Sequence, residues 1–565
     1  MVIEFIKRNK AALIYFAIFF LAVYLRLFEF GQVPNGLYQD ETAIGFNAYS
    51  ILETGKDEYS KNFPLYFKSF GDYKLPVYIY LTIIPVKIFG LTDFTPRVAS
   101  VVFSILTVGL FYFFVRRLTR NTTLALVSML LLAINPWHLH YGRATFEVSV
   151  ALFFFLLGSF LLIGGKKNMF ISMLGVGCFI VALYTYNLTR LLSPALLLLV
   201  FSYNIKEWKK VTLAHKGIII GTIIVGFIPL LLSILSPEGV HSASGTLITS
   251  SAAIQAPLLE LRSYMIGTPI LFQKLFFSQF ALTGWEYIRH IAAYGSFDFY
   301  FLNGSLHGNH GIGNFGQFYL FEVFTILTGL VLVFIKKEKW RSFLIFWGII
   351  VVAVCAFTRE APHATRSFFL ILPFIIFSAY GLIVIIKLIS NMPRKIGVIG
   401  GLFICLFCSY NIVYYFSSYY ERFPIFYAKS WRSEDRVLSD FIKDHNMKYE
   451  KVVVDEAAGI PYTSLLYYLG YSPKDFQTTV QREKDDSEGF SKVKSFGKFE
   501  FRKIDWNKDL ALDKTLFITT FENRPEEKYI VDKILYPQRP VVINVGQEIH
   551  QFPVTDVAYV LVEKK

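Results

Sequence analysis

Two adjacent carboxylates, Asp40 and Glu41, are the residues whose types and spacing most directly suggest chemistry. They lie in the stretch GLYQDETAIGFNAYSILETG, soon after the first membrane-length apolar run. A carboxylate at a membrane surface can take the proton of an attacking hydroxyl group, which is general-base catalysis. The pair also has a structural interpretation, because Ala43, Phe46 and Ser50 share one helical face and acids are enriched in the first turn of a helix. From the pair alone, helix capping and catalysis both stay open.

The elements that position this pair are membrane-length apolar runs. Of the 565 residues, 54% are hydrophobic and only 17% are charged, which is too apolar for a soluble protein of this length. The pattern predicts a polytopic α-helical membrane protein of about 11 transmembrane helices plus interfacial helices, with a C-terminal soluble α/β domain. The predicted spans are 11–28, 98–115, 122–136, 147–164, 169–184, 191–204, 217–235, 317–335, 342–357, 367–388 and 396–416.

The net charge of +14 comes from lysines and arginines clustered at span ends on alternate loops. This is the positive-inside pattern, so it predicts a cytoplasmic N-terminus in a multi-pass cell-membrane protein and no nucleic-acid partner. The segment 76–89 is short for a span, and crossing would place the Arg116–Arg120 bases outside. It is therefore predicted to lie as a helix in the outer interface, in contact with membrane lipids. The first span is expected to be retained, because no small-residue cleavage site follows it.

Two domains are predicted. Residues 1–418 form a transmembrane catalytic domain, with a first outer loop at 29–97 and a large outer loop at 236–316. Residues 419–565 form an extracytoplasmic soluble α/β domain, since YEKVVVDEA, KTLFITTF and YVLVEK have a strand pattern and PYTSLLYYLG has helical periodicity. The run VVVDEAAG followed by PYTSLLYYLG is a strand-turn-helix, where open α/β sheets bind ligands; only fold-level analogy supports such a role here.

The predicted topology collects polar side chains at the outer membrane face. Some have ordinary interpretations. Arg143 and Glu147 have the spacing of a helical ion pair, and Arg366 precedes an apolar run as a snorkelling arginine would. His307 and His310 have the spacing of a metal pair, of substrate contacts or of a plain glycine-rich loop. The candidate site residues on these loops are Asp40, Glu41, Lys74, Arg97, Arg143, Glu147, Tyr186, His307, His310, His363 and Arg366.

This set suits a sugar joined through phosphate to a polyprenyl chain. Transfer of that sugar needs a carboxylate to deprotonate the acceptor hydroxyl, and Asp40 fits that role. It needs cations on the departing lipid phosphate, for which the candidates are Lys74, Arg97, Arg143 and Arg366. It also needs an interfacial surface for the lipid, which the segment 76–89 supplies.

The sequence resembles the membrane-embedded C-type glycosyltransferases that use polyprenyl-phosphate sugars. It is most similar to the bacterial relatives of protein O-mannosyltransferases and of the lipid A aminoarabinose transferase. The resemblance covers about residues 15–415 and is most specific in QDETAIGFNAYSILETGKD, YKLPVYIYLTIIPVKIFG and LTDFTPRVAS. Such families carry an Asp-Glu pair in the first outer loop, a Lys- or His-Pro-Pro opening an interfacial helix, and an Arg before the second span.

By this resemblance Asp40 is the catalytic base and Glu41 supports it. Lys74 is the phosphate-binding lysine, although Leu75 replaces the first proline of the family motif, and Arg97 matches the arginine of the third element. The segments NPWHLHYGRATFE, HGNHGIGNFG and REAPHATRSFF resemble later outer loops, which carries over Glu147 as an assisting acid and Arg366 as the best-matched charge.

The resemblance implies an inverting transfer by one direct displacement, from a polyprenyl-phosphate sugar donor to an acceptor at the outer face. No cofactor is expected, although the oligosaccharyltransferase branch of the superfamily uses a divalent metal. The alternatives are a transporter or flippase and a polymerase or ligase for lipid-linked saccharides. A transporter would place ionisable residues in the middle of spans, where this chain has few. The sugar, hexose or pentose, and the acceptor, whether glycan, lipid or protein, stay open.

Overall fold

A computed structural model describes residues 2–69, 72–164, 168–234, 247–248, 251–265, 267–305, 307–486, 489–545 and 548–564. The start of the predicted large outer loop, 236–246, lies outside the described residues. The chain forms two compact units. One comprises Met1–Phe28, Ser100–Gly142 and Phe146–Tyr415; the other comprises Glu29–Ala99, Arg143–Thr145 and Phe416–Lys565. The first outer loop therefore belongs to the same unit as the C-terminal residues, whereas the predicted division at residue 418 assigned that loop to the transmembrane domain.

The first unit is helical. Its helices are Val2–Leu27, Thr122–Ile134, Pro136–Tyr141, Glu147–Leu162, Met169–Leu183, Thr189–Tyr203, Ile205–Lys209, Leu213–Ile234, Ser251–Ser263, Ile270–Phe276, Gln279–Ala293, Glu322–Ile335, Arg341–Ala356, Ala364–Ser367, Ile371–Ser390 and Arg394–Ser417, together with most of Val98–Thr119.

Within the described part of the chain, five helices are long and apolar enough to cross a membrane, judged by length and composition: Asn9–Leu27, Thr95–Thr119, Leu213–Leu231, Ala364–Ser390 and Arg394–Phe426. The chain is thus a multi-pass membrane protein. The other six predicted spans fall on apolar helices of 13 to 16 residues. Because these are shorter than the bilayer core requires of a straight helix, the predicted count of eleven is not confirmed.

Two glycines let a pair of these helices meet backbone to backbone. A Cβ at Gly329 would collide with the carbonyl of Phe377, and a Cβ at Gly381 would collide with the carbonyl of Thr325. The Thr325 hydroxyl also lies 2.8 Å from the Ser378 hydroxyl across the same contact. Small residues and shared hydroxyl bonds are the usual means of joining helices in a membrane, where lipid removes the hydrophobic driving force between them.

The second unit contains the predicted C-terminal sheet. Strands β1 (Phe67–Ser69) and β2 (Asp72–Lys74) form an antiparallel hairpin in the first outer loop. The remaining strands are β3 (Lys451–Val454), β4 (Gln481–Arg482), β5 (Val493–Phe496), β6 (Phe499–Phe501), β7 (Thr515–Thr519), β8 (Ile530–Leu535), β9 (Arg539–Val545), β10 (Glu548–Val554) and β11 (Val557–Val562). The strands predicted from YEKVVVDEA, KTLFITTF and YVLVEK are β3, β7 and β11.

The main sheet of this unit has the order β4-β5-β6-β3-β7-β11-β8, and β9 pairs with β10 separately. The central strand β3 is parallel to both neighbours, β6 and β7, and the other pairs are antiparallel. The helices of this unit are Gln39–Thr54, Pro76–Phe89, Phe423–Phe426, Ser433–Asp444, Tyr462–Leu469, Pro473–Thr479 and Trp506–Asp509.

The two faces of the sheet are covered by different segments. On one face, Leu465 and Leu466 of the helix that follows β3 pack on the buried side chains of that strand. On the other face, Trp506 and Leu510, which follow β6, pack against Phe517 and its neighbours. Phe46 of the first outer loop lies in the first of these cores, which is the physical reason why that loop belongs to this unit.

Candidate active site

Asp40 lies in the first turn of the helix Gln39–Thr54, with its side chain 36% exposed. The helix is capped by Tyr38, whose extended backbone begins the turn without any side-chain capping bond. Neither acid of the pair is therefore the N-cap residue. The Oδ1 atom of Asp40 lies 3.2 Å from Nζ of Lys74, whose side chain is only 6% exposed. Asp40 is thus a solvent-reaching carboxylate at a helix start, beside a nearly buried cation.

Glu41 has the opposite environment. Its carboxylate is fully buried and accepts two bonds from Arg97, from Nε at 2.8 Å and from the NH2 nitrogen at 2.7 Å. The backbone amide of Thr145 donates a third bond at 2.9 Å. Since bidentate arginine pairs hold a carboxylate in one orientation, Glu41 fixes the start of the helix that presents Asp40.

Arg97 is fully buried and is committed to this arrangement. Beyond Glu41, its guanidinium donates to the carbonyl oxygens of Pro34, at 2.8 Å, and of Gly36. It also lies 5.5 Å from the centroid of the Trp431 ring. The geometry makes Arg97 a residue that organises the loop before Asp40.

Lys74 ends strand β2, and the helix Pro76–Phe89 begins two residues later, with Leu75 as its N-cap and Pro76 at its first position. Proline is favoured there because its fixed φ suits the first turn and its missing N–H has no helical partner to lose. The hydroxyl of Tyr78 in this helix donates to the carbonyl of Pro96, at 3.0 Å. The segment that carries Lys74 is thereby tied to the one that carries Arg97. The helix predicted at 76–89 is present with those bounds.

Arg143 lies in the short connection ahead of the helix that begins at Glu147, so the helical ion-pair spacing expected for these two residues does not occur within one helix. The Arg143 side chain is buried. It donates to the carbonyl oxygens of Val33 at 3.0 Å and Glu29 at 3.2 Å, and its guanidinium lies 5.3 Å from the Tyr420 ring centroid. Arg143 thus binds the protein's own backbone ahead of Asp40.

The predicted histidines come together in the helical unit. The rings of His307, His310 and His363 have centroid separations of 5.9, 6.3 and 4.9 Å, and an oxygen of Glu360 lies 3.7 Å from Nε2 of His363. Burial lowers the pKa of His310 to about 3, and burial followed by the charge of Arg366 lowers the pKa of His363 well below its ordinary value. These two imidazoles are therefore neutral near pH 7 and act as hydrogen-bonding groups, not as cations.

Arg366 lies in the short helix Ala364–Ser367, directly after this histidine cluster, and donates to the Glu360 carbonyl at 3.2 Å. Glu147 is the first residue of its helix, and Tyr186 lies half-buried in the connection before the helix Thr189–Tyr203. Structure and sequence agree that these residues lie at helix ends. The residues that the structure joins through direct contacts around Asp40 are Glu41, Lys74, Arg97 and Thr145.

A second acid pair, Asp57-Glu58, was not singled out from the sequence. Glu58 is fully buried; it accepts bonds from Tyr462 at 2.5 Å and Asn47 at 3.0 Å, and Arg482 lies 3.9 Å away. Burial raises the pKa of Glu58 above its ordinary value of 4.5. The repeated Asp-Glu dipeptide in GKDEYS was the available signal. The buried Glu58 carboxylate joins the helix that carries Asp40, through Asn47, to the C-terminal residues, through Tyr462.

The fit of a divalent metal can be judged from the donor groups near Asp40. Hard divalent cations prefer several oxygen ligands, whereas the neighbour of the Asp40 carboxylate is the ammonium group of Lys74. Among the residues that the structure describes, no group of three or more His, Cys, Asp or Glu side chains is arranged to hold a metal ion. The charge partner of the Asp40 carboxylate is therefore the Lys74 ammonium group, and the donor groups beside Asp40 do not fit a divalent metal.

Comparisons with known proteins bear on the family. Residues 74–232 match the sequence model of the family described as dolichyl-phosphate-mannose-protein mannosyltransferase. A comparison with curated protein sequences gives no match.

Several solved structures have a similar fold. ArnT from Cupriavidus metallidurans in the apo state has a TM-score of 0.52 at 11% identity, covering 98% of each chain. ArnT bound to undecaprenyl phosphate gives a TM-score of 0.48 at 11% identity, with the same coverage. The oligosaccharyltransferase AglB from Archaeoglobus fulgidus, in complex with an inhibitory peptide and a dolichol-phosphate, gives 0.49 at 13% identity and covers 82% of this chain. The chain spans 64% of the length of AglB.

The match over residues 74–232 and the ArnT-like fold over nearly the whole chain confirm the resemblance found in the sequence. The matched segment begins at Lys74 and contains Arg97, Arg143, Glu147 and Tyr186. Residues 74–232 are thus similar to this mannosyltransferase family, and the chain as a whole has a fold like that of ArnT.

Proposed function

We propose that this chain is a glycosyltransferase that moves a sugar from a polyprenyl-phosphate-linked donor to the hydroxyl group of an acceptor, with Asp40 as general base. The observation that carries the proposal is the difference in environment between two adjacent acids. Glu41 is buried and bound through both oxygens, whereas Asp40 reaches solvent beside Lys74. The family matched by residues 74–232 is named for a sugar on a polyprenyl phosphate, which supports this donor class.

The reaction is a single displacement. An oxygen of Asp40 takes the proton of the acceptor hydroxyl, and the acceptor oxygen forms a bond to the anomeric carbon of the donor sugar. The bond between that carbon and the phosphate oxygen breaks, and the phosphate leaves on its lipid with the bonding electron pair. Attack opposite the leaving group inverts the anomeric configuration. A positioned general base typically accelerates such a step by about 10²–10⁴-fold.

The departing phosphate gains negative charge, and Lys74 is the cation nearest to the base. A nearly buried ammonium group stabilises developing charge more strongly than an exposed one, because water screens it less. Arg97 and Arg143 act as positioning residues, since their guanidinium groups are occupied by Glu41 and by backbone carbonyls. Arg366 is proposed as a further ligand of the donor phosphate, and no metal ion is part of the proposal.

The helix Pro76–Phe89 is proposed to guide the polyprenyl chain. Its residues Ile84, Ile88 and Phe89 are exposed and apolar, as a helix lying in the membrane interface requires. Glu147, Tyr186, His307, His310 and His363 are proposed to contact the sugar or acceptor. The two buried histidines would do so as neutral hydrogen-bonding groups.

The test is turnover of a polyprenyl-phosphate sugar by purified full-length protein in lipid nanodiscs. Undecaprenyl-phosphate mannose serves as donor, and a cell-envelope extract supplies acceptors. Asp40→Asn should lower release of undecaprenyl phosphate by about 10²–10⁴-fold. Glu53→Gln, an exposed acid at the end of the same helix, is the matched control and should keep full activity.

Undiminished release by Asp40→Asn would exclude Asp40 as the base. The transporter alternative is tested with the same protein in lipid vesicles. Movement of the donor across the vesicle membrane without release of undecaprenyl phosphate would favour that alternative. Product with retained anomeric configuration would contradict the single displacement.

A further inference from the structure

The C-terminal domain contains a cavity of about 420 Å³ that the proposed chemistry does not use. It lies at the end of the central strand β3, in the strand-turn-helix that the sequence already distinguished. Its wall combines residues from the ends of β3 and β6, from the turn after β3, and Glu483, Asp486 and residues 490–494, together with Gln39. Its size is within the range of small-molecule binding sites.

The topology explains why a pocket forms there. Strands β3 and β6 are parallel neighbours, so their carboxyl ends, at Val454 and Phe501, lie at the same edge of the sheet. The chain leaving β3 packs on one face of the sheet, and the chain leaving β6 packs on the opposite face. Connections that diverge in this way leave a crevice between the two strand ends, which is the position where open α/β sheets bind ligands. Both Val454 and Phe501 line the cavity.

The lining indicates the class of ligand. The aromatic rings of Tyr462, Phe490 and Phe501 provide apolar faces, and Ser491 provides a hydroxyl group. The lining acids outnumber the lining lysines; they are Asp455, Glu456, Glu483 and Asp486 against Lys492 and Lys494. Apolar ring faces beside several hydrogen-bond acceptors suit a polyhydroxylated ring, and the excess of acids disfavours an anionic one.

One chain neighbour and one ring contact connect this cavity to the proposed reaction site. Gln39, which lines the cavity, directly precedes Asp40 in the same helix turn. The Phe490 ring lies 5.1 Å from the ring of Tyr73, the residue directly before Lys74. A ligand held here would therefore lie next to the segments that carry the base and its cation.

We infer that this cavity binds the acceptor and that the acceptor is a neutral or amino-bearing saccharide. Its role as acceptor site rests on the proposed transferase activity, whereas saccharide binding does not. A peptide is a poorer fit, because addition of an extended peptide to a sheet needs a free strand edge and this cavity lies at strand ends.

The experiment measures retention of the full-length protein, carrying Asp40→Asn to prevent turnover, on an array of immobilised oligosaccharides. The array includes neutral, amino and uronic-acid saccharides, and a serine- and threonine-containing peptide. Neutral or amino saccharides should retain the protein. Phe490→Ala and Glu456→Gln should each weaken retention by about tenfold, which corresponds to about 1.4 kcal/mol.

Glu456 is exposed, so its substitution tests the site without threatening the fold. The matched control is Glu450→Gln, an exposed acid immediately before the amino end of β3, and it should retain full binding. Binding to no saccharide, preference for uronic acids, retention by the peptide alone, or equal binding by all variants would overturn the inference. Failure of the transferase proposal is distinguishable, because it appears as unchanged donor turnover in Asp40→Asn whatever the array shows.

Discussion

Neutralising Glu41 should destabilise the protein strongly, whereas the same change at its neighbour Asp40 should destabilise it much less. Glu41→Gln removes the charge that compensates Arg97 while both side chains stay fully buried. Breaking a buried ion pair on one side costs about 3–5 kcal/mol, because the remaining charge has neither water nor a partner. The Asp40 carboxylate is 36% exposed and its partner Lys74 is 6% exposed, so this pair is only partly buried and its loss should cost less than the loss of the fully buried Glu41 charge.

The measurement is a denaturant titration of the full chain in mixed micelles, followed by tryptophan emission. Trp431 lies against the Arg97 guanidinium and so reports on this region. Glu41→Leu and Arg97→Leu are measured alone and together. The double variant should recover a large part of the loss, because replacing both members of a buried pair by apolar side chains is often close to neutral.

Two results would refute this reasoning. Glu41→Gln could prove as stable as Asp40→Asn, or the double variant could show the plain sum of the two single losses. Either result would mean that the ion pair of Glu41 does not hold the start of this helix. Activity provides an independent readout, since Asp40→Asn should lower transfer by about 10²–10⁴-fold in a protein that remains folded.

Three further predictions concern other parts of the molecule. Lys74→Ala should raise the KM for the polyprenyl-phosphate donor and lower kcat, with Lys74→Arg partly active; unchanged donor titrations would remove Lys74 from the phosphate site. The raised pKa of Glu58 means that the folded state binds its proton more tightly than the unfolded state, so stability should fall as pH rises from about 4.5 through the folded-state pKa. Glu58→Gln should flatten that dependence in unfolding experiments across pH 4 to 8, and an identical slope would contradict the assignment. Gly381→Leu should abolish folding, because its side chain would collide with the Thr325 carbonyl. The control Gly401→Leu should be tolerated, because a Cβ at that position meets nothing within 4 Å. Equal yields of folded protein in detergent would exclude the close helix contact.

Much of the fold was predictable because its signals are local. Apolar runs mark helices, and every predicted span falls on one. The alternation of β-branched residues marked β3, β7 and β11, and the segment 76–89 is a helix with the predicted bounds. These patterns depend on neighbours within a few residues along the chain, which sequence displays directly. Strand order and the opposite-face connections around β3 were not predictable, because they depend on which distant segments pair.

The amino-acid sequence by itself determined that the chain is membrane-embedded, that a C-terminal sheet follows, and that Asp40 and Glu41 begin a helix in the same inter-span segment as Lys74 and Arg97. Through the family resemblance it also assigned the role of base to Asp40 and a supporting role to Glu41. Only the tertiary structure decided that Glu41 is enclosed by Arg97, 56 residues away, and by the amide of Thr145, 104 residues away, while Asp40 keeps access to solvent. The physical reason is that burial and charge pairing are set by contacts between distant segments, and two adjacent residues on a helix point in different directions. The same non-local contacts place Gln39 at the edge of a cavity whose other walls come from residues beyond 450.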